Sequence, residues 1–322
     1  MSKDKTILVT GGCGFIGSEF VRKAVRRYKI IVVDKLTYAG DEERLKSVKG
    51  RYKFYKEDIC NKRNMEKIFE KEKLAILINF AAQTHVDRSI KNPSPFIETN
   101  IKGVQILADL TLKFKIKKFI QISTDEVYGE IKRGNFKETH PLNPSSPYSA
   151  SKAGADLLIK SYIRTYNLPA IIVRPCNCYG LWQYPEKLIP LAILKLLRNK
   201  KVPIYGKGEN IREWLYVEDC IKAILLVLEK GEIGEIYNVG SGEERRNIDV
   251  VKEIIKILGK SEALIEFVSD RPGHDFRYCL DTSKIKRKLY WQSCIKFEEG
   301  IRRTVKWYLK NKNWIFNKYQ GG

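Results

Sequence analysis

TILVTGGCGFIG, at residues 6–17, places a short apolar run directly before a glycine-rich loop. A pattern typical of an amphipathic helix follows the loop. Glycines at 11, 14 and 17 allow a tight turn, close approach of the backbone to a pyrophosphate and close packing of the helix, whose N-terminus supplies amide donors. The stretch predicts the first strand, loop and helix of a dinucleotide-binding fold, with these residues at the cofactor: Gly11, Gly14, Phe15, Ile16 and Gly17.

A second apolar run, residues 30–33, ends in Asp34. At this distance from the glycine loop a carboxylate can accept hydrogen bonds from the ribose hydroxyls of adenosine, which favours NAD over NADP. Lys35 could instead pair with a 2′-phosphate, so NADP is the alternative. We expect Asp34, Lys35 and Thr37 to bind the cofactor.

Further strand-like runs occur at residues 52–55, 75–80, 118–122 and 170–173, with helical periodicity between them. This alternation predicts an α/β fold with a doubly wound parallel sheet. Residues that directly follow the third and fourth runs are predicted to contact adenine and to allow close approach of the cofactor backbone, the alternative being ordinary loop residues: Asp58, Ile59, Ala81 and Ala82.

After about residue 180 the regular pattern gives way to shorter elements separated by proline and glycine. We therefore predict a dinucleotide-binding domain at residues 1–180, with a return segment near 214–240. Residues 181–322 would mainly form a smaller substrate-binding domain, and residues 317–322 a frayed tail.

Length and composition set limits on the class of protein. The chain has 322 residues, of which 43% are hydrophobic, which argues against disorder. Its apolar runs are far shorter than the roughly 18 residues that span a bilayer, and its start enters a strand pattern, so we expect no membrane segment and a cytoplasmic location. The seven cysteines are scattered and odd in number, which suits a reducing compartment. Cys176 and Cys178 lack partners at metal-ligand spacing, so no metal site is expected.

The formal net charge is +22 and the isoelectric point is about 9.6. Basic residues are spread over the chain, and only residues 113–118 and 284–288 are dense. These blocks contain one aromatic residue, Phe114, whereas single-strand binders present a series of stacking rings. The charge therefore predicts an anionic small substrate and no specific nucleic-acid partner.

Residues 123–129, Ser-Thr-Asp-Glu-Val-Tyr-Gly, place a hydroxyl and two carboxylates just after the strand-like run at 118–122. Ligands bind at the carboxyl ends of strands in an open α/β sheet, so Thr124, Asp125 and Glu126 are candidate catalytic residues. The alternative is structural, because Ser123 and Glu126 have the spacing of a helix capping box.

Tyr148 and Lys152 are four residues apart, and Pro147 suits a first helical turn, so both side chains would share one helix face. Tyr52 and Lys56 have the same spacing in a strand-like run, so spacing alone proves little. A lysine beside a phenol favours the phenolate and would lower the pKa of Tyr148, as a base near neutral pH requires.

Arg212 and Arg271 are candidates to clamp a diphosphate, because guanidinium pairs bidentately with phosphate oxygens. A surface ion pair is the alternative for either arginine.

Taken together, these motifs resemble the extended short-chain dehydrogenase/reductases, and within them the dTDP-glucose 4,6-dehydratase family. Matching segments run through most of the chain, at residues 34–40, 85–90, 123–129, 184–190 and 271–275. Sister epimerases and decarboxylases share the cofactor loop and the Tyr/Lys pair but typically lack the Asp-Glu pair.

The resemblance implies an NAD-dependent lyase reaction in three stages, with NAD bound tightly and not consumed. Tyr148, assisted by Lys152 and Thr124, would act in oxidation at C4 of the sugar; Glu126 would be the base at C5, and protonated Asp125 the acid at the C6 hydroxyl. Residues at positions that hold substrate in the family are His85, Asn177, Lys187, Arg212, Asn247 and Arg271, and Asn100 matches a structural and proton-relay position. A homodimer through helices near 96–113 and 147–165 is implied by analogy.

The sequence departs from the family pattern at two places, and these departures leave alternative functions open. Gln83-Thr84 is similar to UDP-glucose 4,6-dehydratases, and Cys178 replaces the second asparagine of the usual Asn-Asn-Tyr-Gly. A UDP-glucose dehydratase and a nucleotide-sugar 4-epimerase are the alternatives of the same fold. A non-catalytic module that binds nucleotides or RNA would explain the charge, but not the Thr-Asp-Glu segment.

Overall fold

The structure, a computed structural model, describes residues 5–318. Its strands are β1 Thr6–Thr10, β2 Lys29–Asp34, β3 Tyr52–Lys56, β4 Ile76–Asn79, β5 Lys118–Ile122, β6 Ala170–Pro175, β7 Asn177–Tyr179, β8 Val202–Tyr205, β9 Ile211–Tyr216, β10 Ile236–Val239, β11 Glu244–Arg246 and β12 Ile265–Val268. Its α-helices are α1 Phe15–Ala24, α2 Lys62–Glu72, α3 Val86–Lys91, α4 Ser94–Ile97, α5 Gly103–Lys113, α6 Pro147–Tyr166, α7 Leu188–Leu197, α8 Val217–Lys230, α9 Asn247–Leu258, α10 Ser283–Leu289, α11 Phe297–Lys310 and α12 Lys312–Lys318. Short 3₁₀ helices occupy Glu42–Val48, Asp125–Tyr128 and Glu262–Leu264, and one π-helical turn occupies Glu98–Lys102.

The central sheet has seven strands in the order β10-β6-β5-β4-β1-β2-β3, and every neighbouring pair is parallel. The prediction of a doubly wound parallel sheet is confirmed. Parallel pairing brings the carboxyl ends of all seven strands to one edge. The strand order changes direction beside β1, where such sheets leave a crevice for a ligand.

Both faces of this sheet are covered by helices. Every residue of β1, β4 and β6 is buried, as expected for strands that pack helices on both sides. Two apolar clusters form the cores, one on each face: Val9, Phe20 and Ile224 belong to one, and Leu8, Leu107 and Ile159 to the other. The sheet is therefore a fixed platform for the loops that follow its strands.

Two smaller sheets, β11-β9-β7 and β12-β8, lie in the C-terminal part. A third core cluster packs against them, drawn largely from α7, α9 and α11. The division near residue 180 stays a prediction; its support is that β10, from the predicted return segment, pairs with β6 of the large sheet.

Within residues 5–318, no helix combines the length and the apolar character needed to cross a membrane. Of the predicted tail at 317–322, Asn317 and Lys318 end α12, and residues 319–322 lie outside the described part of the chain.

Candidate active site

A single cavity at the carboxyl edge of the large sheet collects most of the predicted site residues. They are Gly11, Gly14, Phe15, Ile16, Gly17, Asp34, Lys35, Thr37, Asp58, Ile59, Ala81, Ala82, Thr124, Asp125, Glu126, Tyr148, Lys152, Asn177 and Lys187. Four predicted substrate residues are not part of its lining: His85, Arg212, Asn247 and Arg271.

The glycine loop leaves the N-terminus of α1 open to a ligand. Gly14 is the N-cap of α1, and no side chain caps the first amides of that helix. Gly11 has a φ of +67°, and a Cβ there would lie 2.4 Å from the backbone nitrogen of Ala81. Close packing of two backbone segments therefore requires glycine at residue 11. Free amides at the end of a helix are suited to a pyrophosphate.

Asp34 ends β2 beside this loop. Its carboxylate accepts hydrogen bonds from the backbone amides of Cys13 and Leu36, both at 2.8 Å. Burial raises the pKa of Asp34, and these two amide bonds oppose the shift. Lys35 pairs with Asp58 at 2.6 Å, so its charge is already used in the protein. This pairing disfavours the alternative in which Lys35 holds a 2′-phosphate.

Thr124, Asp125 and Glu126 follow the end of β5 and form the start of a 3₁₀ helix. The capping alternative assigned this role to Ser123, but Thr124 is the N-cap and accepts a hydrogen bond from the amide of Glu126 at 3.3 Å. The short helix replaces strand alternation at this point. All three side chains therefore face one cavity.

The two adjacent carboxyl groups differ in environment. Asp125 is 1% exposed, and burial together with the charges of Glu126 and Glu213 raises its pKa well above the ordinary value. Burial also raises the pKa of Glu126, but Lys187, Arg271 and Arg212 oppose that shift. Like charges in one buried site resist simultaneous ionisation. Asp125 is thus suited to remain protonated while Glu126 carries the charge.

Tyr148 and Lys152 lie on α6, where Ser146 and Ser149 form a capping box and Pro147 occupies the first turn. Lys152 Nζ donates to the carbonyl of Ile122 at 2.6 Å.

The expected lowering of the Tyr148 pKa is not what the structure gives. Burial and the charge of Glu126 raise the pKa of Tyr148, while a hydrogen bond with Thr124 opposes the shift. Burial also lowers the pKa of Lys152 to about 8. The reason is that both groups lie in the protein interior, where desolvation is the largest cause of each shift.

Two predicted substrate residues line the cavity from the C-terminal part. Asn177 begins β7, and its buried side-chain oxygen has no hydrogen-bond partner among the described residues. Lys187 precedes α7, and its Nζ donates to the carbonyl of Thr84 at 2.8 Å.

Arg212 and Arg271 do not line the cavity. Arg212 is 5% exposed, donates to the carbonyls of Asp275 and Phe276, and stacks over the ring of Tyr278. Arg271 lies 3.8 Å from Asp87, and its buried Nε has no hydrogen-bond partner within residues 5–318. Both charges still act on Glu126.

The remaining predicted residues hold backbone segments. His85 is the N-cap of α3. Asn247 begins α9, and its backbone amide donates to the carbonyl of Asn210 at 3.0 Å. Asn100, in the π-helical turn, accepts from the amide of Gln83 at 2.9 Å and donates to Ser151 Oγ at 2.8 Å. Asn100 therefore ties the loop after β4 to α6.

Sequence reasoning assigned no site role to several residues that line the cavity: Gln83, Thr84, Gln183, Tyr184 and Glu186. Of these, Gln83 and Thr84 were noted only as a departure from the family pattern. Glu186 and Tyr184 lie in the segment 184–190 that carried the resemblance, but no spacing rule gives them a role. Tyr38 binds Glu186 from the opposite part of the chain.

Known proteins match this chain over nearly its whole length. The family model described as GDP-mannose 4,6 dehydratase matches residues 8–304. A dTDP-glucose 4,6-dehydratase of Shigella flexneri is 45% identical over 345 residues, which cover 98% of this chain and 96% of the relative.

Solved structures have the same fold. DesIV, a dTDP-glucose 4,6-dehydratase of Streptomyces venezuelae with NAD and TYD bound, superposes with a TM-score of 0.95 at 42% identity, covering 98% of this chain and 100% of that one. A UDP-glucose 4-epimerase of Thermotoga maritima with UDP-glucose gives a TM-score of 0.90 at 34% identity over 95% of this chain and 99% of that one. The cavity, the Thr-Asp-Glu segment and the matches agree, and this chain belongs to the GDP-mannose 4,6 dehydratase family, in which it is similar to dTDP-glucose 4,6-dehydratases.

Proposed function

We propose that this protein is an NAD-dependent hydro-lyase that converts dTDP-glucose to dTDP-4-keto-6-deoxyglucose. The observation that carries the proposal is the pair Asp125 and Glu126 in one cavity, with the pKa of Asp125 raised the more strongly. Elimination of water needs an acid and a base on neighbouring carbons, and this pair can supply both. An epimerase does not need that division of roles.

The residues of the glycine loop fit NAD. Uncapped amides of α1 would hold the pyrophosphate, and Asp34 would accept from the ribose hydroxyls. The chemistry supplied by NAD when bound is reversible hydride transfer, from C4 of the sugar at the start and to C6 at the end.

In the first stage the ionised form of Tyr148 would take the proton from the C4 hydroxyl, assisted by Thr124 and Lys152. The hydrogen bond with Thr124 favours that ionised form, against the effect of burial. Lys152 Nζ donates a hydrogen bond to the carbonyl of Ile122, which fixes the position of its ammonium group. The new C4 ketone acidifies the proton on C5.

In the second stage Glu126 removes the C5 proton and Asp125 donates a proton to the C6 hydroxyl, which leaves as water. Glu126 would then return a proton to C5 as C6 is reduced. The proton taken by Tyr148 would pass to Asp125 through Thr124, which hydrogen-bonds both side chains, so that every group is restored. The buried Oδ2 of Asp125 supports this role, because it has no hydrogen-bond partner among the described residues and is available to the substrate.

Mass spectrometry of the product tests the proposal. The purified protein is mixed separately with dTDP-glucose and UDP-glucose, without added NAD. We expect loss of about 18 mass units from dTDP-glucose, with cofactor that co-purifies. Faster loss of water from UDP-glucose would mean that the preferred substrate carries uracil in place of thymine. No mass change with either sugar, even after NAD is added, would contradict a dehydratase.

We further propose a cytoplasmic homodimer. The support for a dimer is a set of exposed apolar side chains on α4 and α6: Ile97 is 53%, Leu157 54% and Tyr166 56% exposed. The support for the cytoplasm is that all seven cysteines are free thiols. Sedimentation of Leu157→Lys beside the unmodified protein tests the dimer, since a charge at its interface should give monomers.

A further inference from the structure

Four side chains from three distant segments meet at one side of the cavity, and we call them the rim cluster: Tyr38, His85, Arg88 and Glu186. Tyr38 follows β2, His85 and Arg88 belong to the start of α3, and Glu186 precedes α7. Tyr38 Oη donates to Glu186 Oε1 at 3.0 Å. The Arg88 guanidinium lies 3.8 Å from the centre of the Tyr38 ring. The cluster thus joins the cofactor-binding part of the chain to the loop that carries Lys187.

The second oxygen of Glu186 is not satisfied. Oε2 is buried and has no hydrogen-bond partner within residues 5–318. His85 Nε2 and Arg88 Nε each lie 3.7 Å from it. That distance exceeds a normal hydrogen bond of about 2.7–3.2 Å by less than 1 Å. The two donors are close enough for a small movement of the loop to complete both bonds.

The ionisation of His85 makes it a donor at the required nitrogen. Its Nδ1 accepts from the amide of Arg88 at 3.4 Å, so the proton of a neutral ring lies on Nε2, which faces Glu186. Burial and the charge of Lys187 lower the pKa of His85 to about 4, which keeps the ring neutral near pH 7. His85 can therefore donate to Glu186 without carrying a charge.

The cluster lies at the edge of the cavity. Glu186 lines the cavity together with Thr37, Tyr184 and Lys187. The Glu186 side chain is only 10% exposed, whereas Arg88 is 53% and Tyr38 36% exposed. The contacts thus run from solvent to the cavity wall, as expected at the mouth of a cleft.

We propose that the rim cluster holds the mouth of the cavity closed over NAD, with Tyr38, His85 and Arg88 acting as positioning residues through Glu186. The inference rests on the proposed function, because a reaction that reduces and reoxidises the same NAD requires its retention between stages. Closure over the cofactor completes the bonds of Glu186 Oε2 to His85 and Arg88, and these bonds oppose reopening.

The test is the rate at which labelled NAD leaves the holoenzyme during a chase with unlabelled NAD, in the absence of sugar. We compare the unmodified protein with Tyr38→Phe, Glu186→Gln and Glu186→Ala. Loss of a hydrogen bond to a charged group should speed NAD release about tenfold in Tyr38→Phe and Glu186→Ala, and less in Glu186→Gln. Tyr290→Phe is the matched control, because Tyr290 is 88% exposed at the end of α10 and should release NAD at the original rate.

A second measurement follows one turnover of dTDP-glucose. We expect Tyr38→Phe to release reduced cofactor and the C4-keto sugar into solution, which the unmodified protein retains. Thermal unfolding of each variant verifies that it is folded. An unchanged rate of NAD release in both Tyr38→Phe and Glu186→Ala overturns the proposed role of the rim cluster in retaining NAD, even if the unmodified protein dehydrates the sugar. Absence of dehydration with faster NAD release in the variants overturns the proposed function alone.

Discussion

Thr124 Oγ1 donates a hydrogen bond to Oδ1 of Asp125 at 3.1 Å, while Oδ2 of the same carboxyl group is buried without a partner in the described chain. One oxygen of Asp125 is therefore held and the other is available. Burial raises the pKa of this carboxyl group well above its ordinary value, which favours the protonated form that a general acid requires.

Asp125→Asn should uncouple oxidation from loss of water. The amide cannot donate a proton as readily to the leaving hydroxyl, so we expect elimination to slow at least about a hundredfold, the usual contribution of general acid catalysis. Oxidation at C4 should continue. Stopped-flow absorbance of the reduced cofactor, with mass spectrometry of the quenched sugar, should show accumulation of the keto sugar. Product formation at the original rate would remove Asp125 from the mechanism.

Glu126→Gln should abolish exchange of the C5 proton with solvent. The amide is not a base, so dTDP-glucose turned over in deuterated water should yield no deuterium at C5, as mass spectrometry can measure. Glu266→Gln is the matched control, since Glu266 is an exposed residue of β12 away from the cavity, and it should incorporate deuterium normally. Deuterium incorporation in Glu126→Gln would assign the base elsewhere.

Activity should depend on pH through two groups, one of which must be deprotonated and the other protonated. The active form of Glu126 is ionised, so activity is lost as pH falls through a pKa that burial has raised above the ordinary value of 4.5. The active form of Lys152 is protonated, so activity is lost as pH rises through a pKa of about 8. Initial rates across this range should give a bell-shaped profile. Lys152→Arg should move its alkaline limb upward, because guanidinium stays protonated; an unmoved limb would exclude Lys152 as its source.

Asp156→Asn should destabilise the fold by about 3–5 kcal/mol, because it leaves Arg174 as an unpaired charge in the core. Arg174 Nε and Asp156 Oδ2 are 2.8 Å apart, with side chains 1% and 0% exposed. Urea unfolding measures the difference. Asp249→Asn, in the exposed pair with Arg246, should have little effect. Equal destabilisation by the two variants would contradict the reasoning from burial.

Gly11→Ala should lower both stability and NAD retention, because its Cβ would collide with the backbone of Ala81. Gly50→Ala is the control. Gly50 also has a positive φ, +83°, but has no atom within 4 Å of an added Cβ, so only backbone strain of roughly 1–2 kcal/mol applies. Thermal unfolding and the NAD content of the purified variants should separate the two effects. Similar losses in both would mean that φ, and not the contact with Ala81, requires glycine at residue 11.

Prediction from sequence succeeded where the controlling interactions are local. The apolar run, the glycine loop and the helix after it are adjacent in the chain. The conformation of residues 6–24 is therefore predicted by residues within that segment. Residues at or just after the carboxyl ends of strands, such as Asp34 and Thr124, meet at one edge once the strands pair in parallel. Their assembly in one cavity therefore needs the sheet topology but no knowledge of side-chain packing.

Prediction was incomplete where partners come from distant segments. Arg212 has the side chain of a diphosphate clamp, but its guanidinium donates to the carbonyl of Asp275, 63 residues away. Tyr38 and Glu186 are 148 residues apart, and no spacing rule relates them.

The sequence by itself determined the first six strands of the chain, the glycine loop, and the candidates Thr124, Asp125, Glu126, Tyr148 and Lys152. Tertiary structure alone decided how these groups ionise and which cations reach them. The spacing of Tyr148 and Lys152 suggests a lowered phenol pKa, yet burial raises it. The physical reason is that helix and strand periods act over a few residues, whereas the cost of charge in a site depends on every segment that excludes water from it.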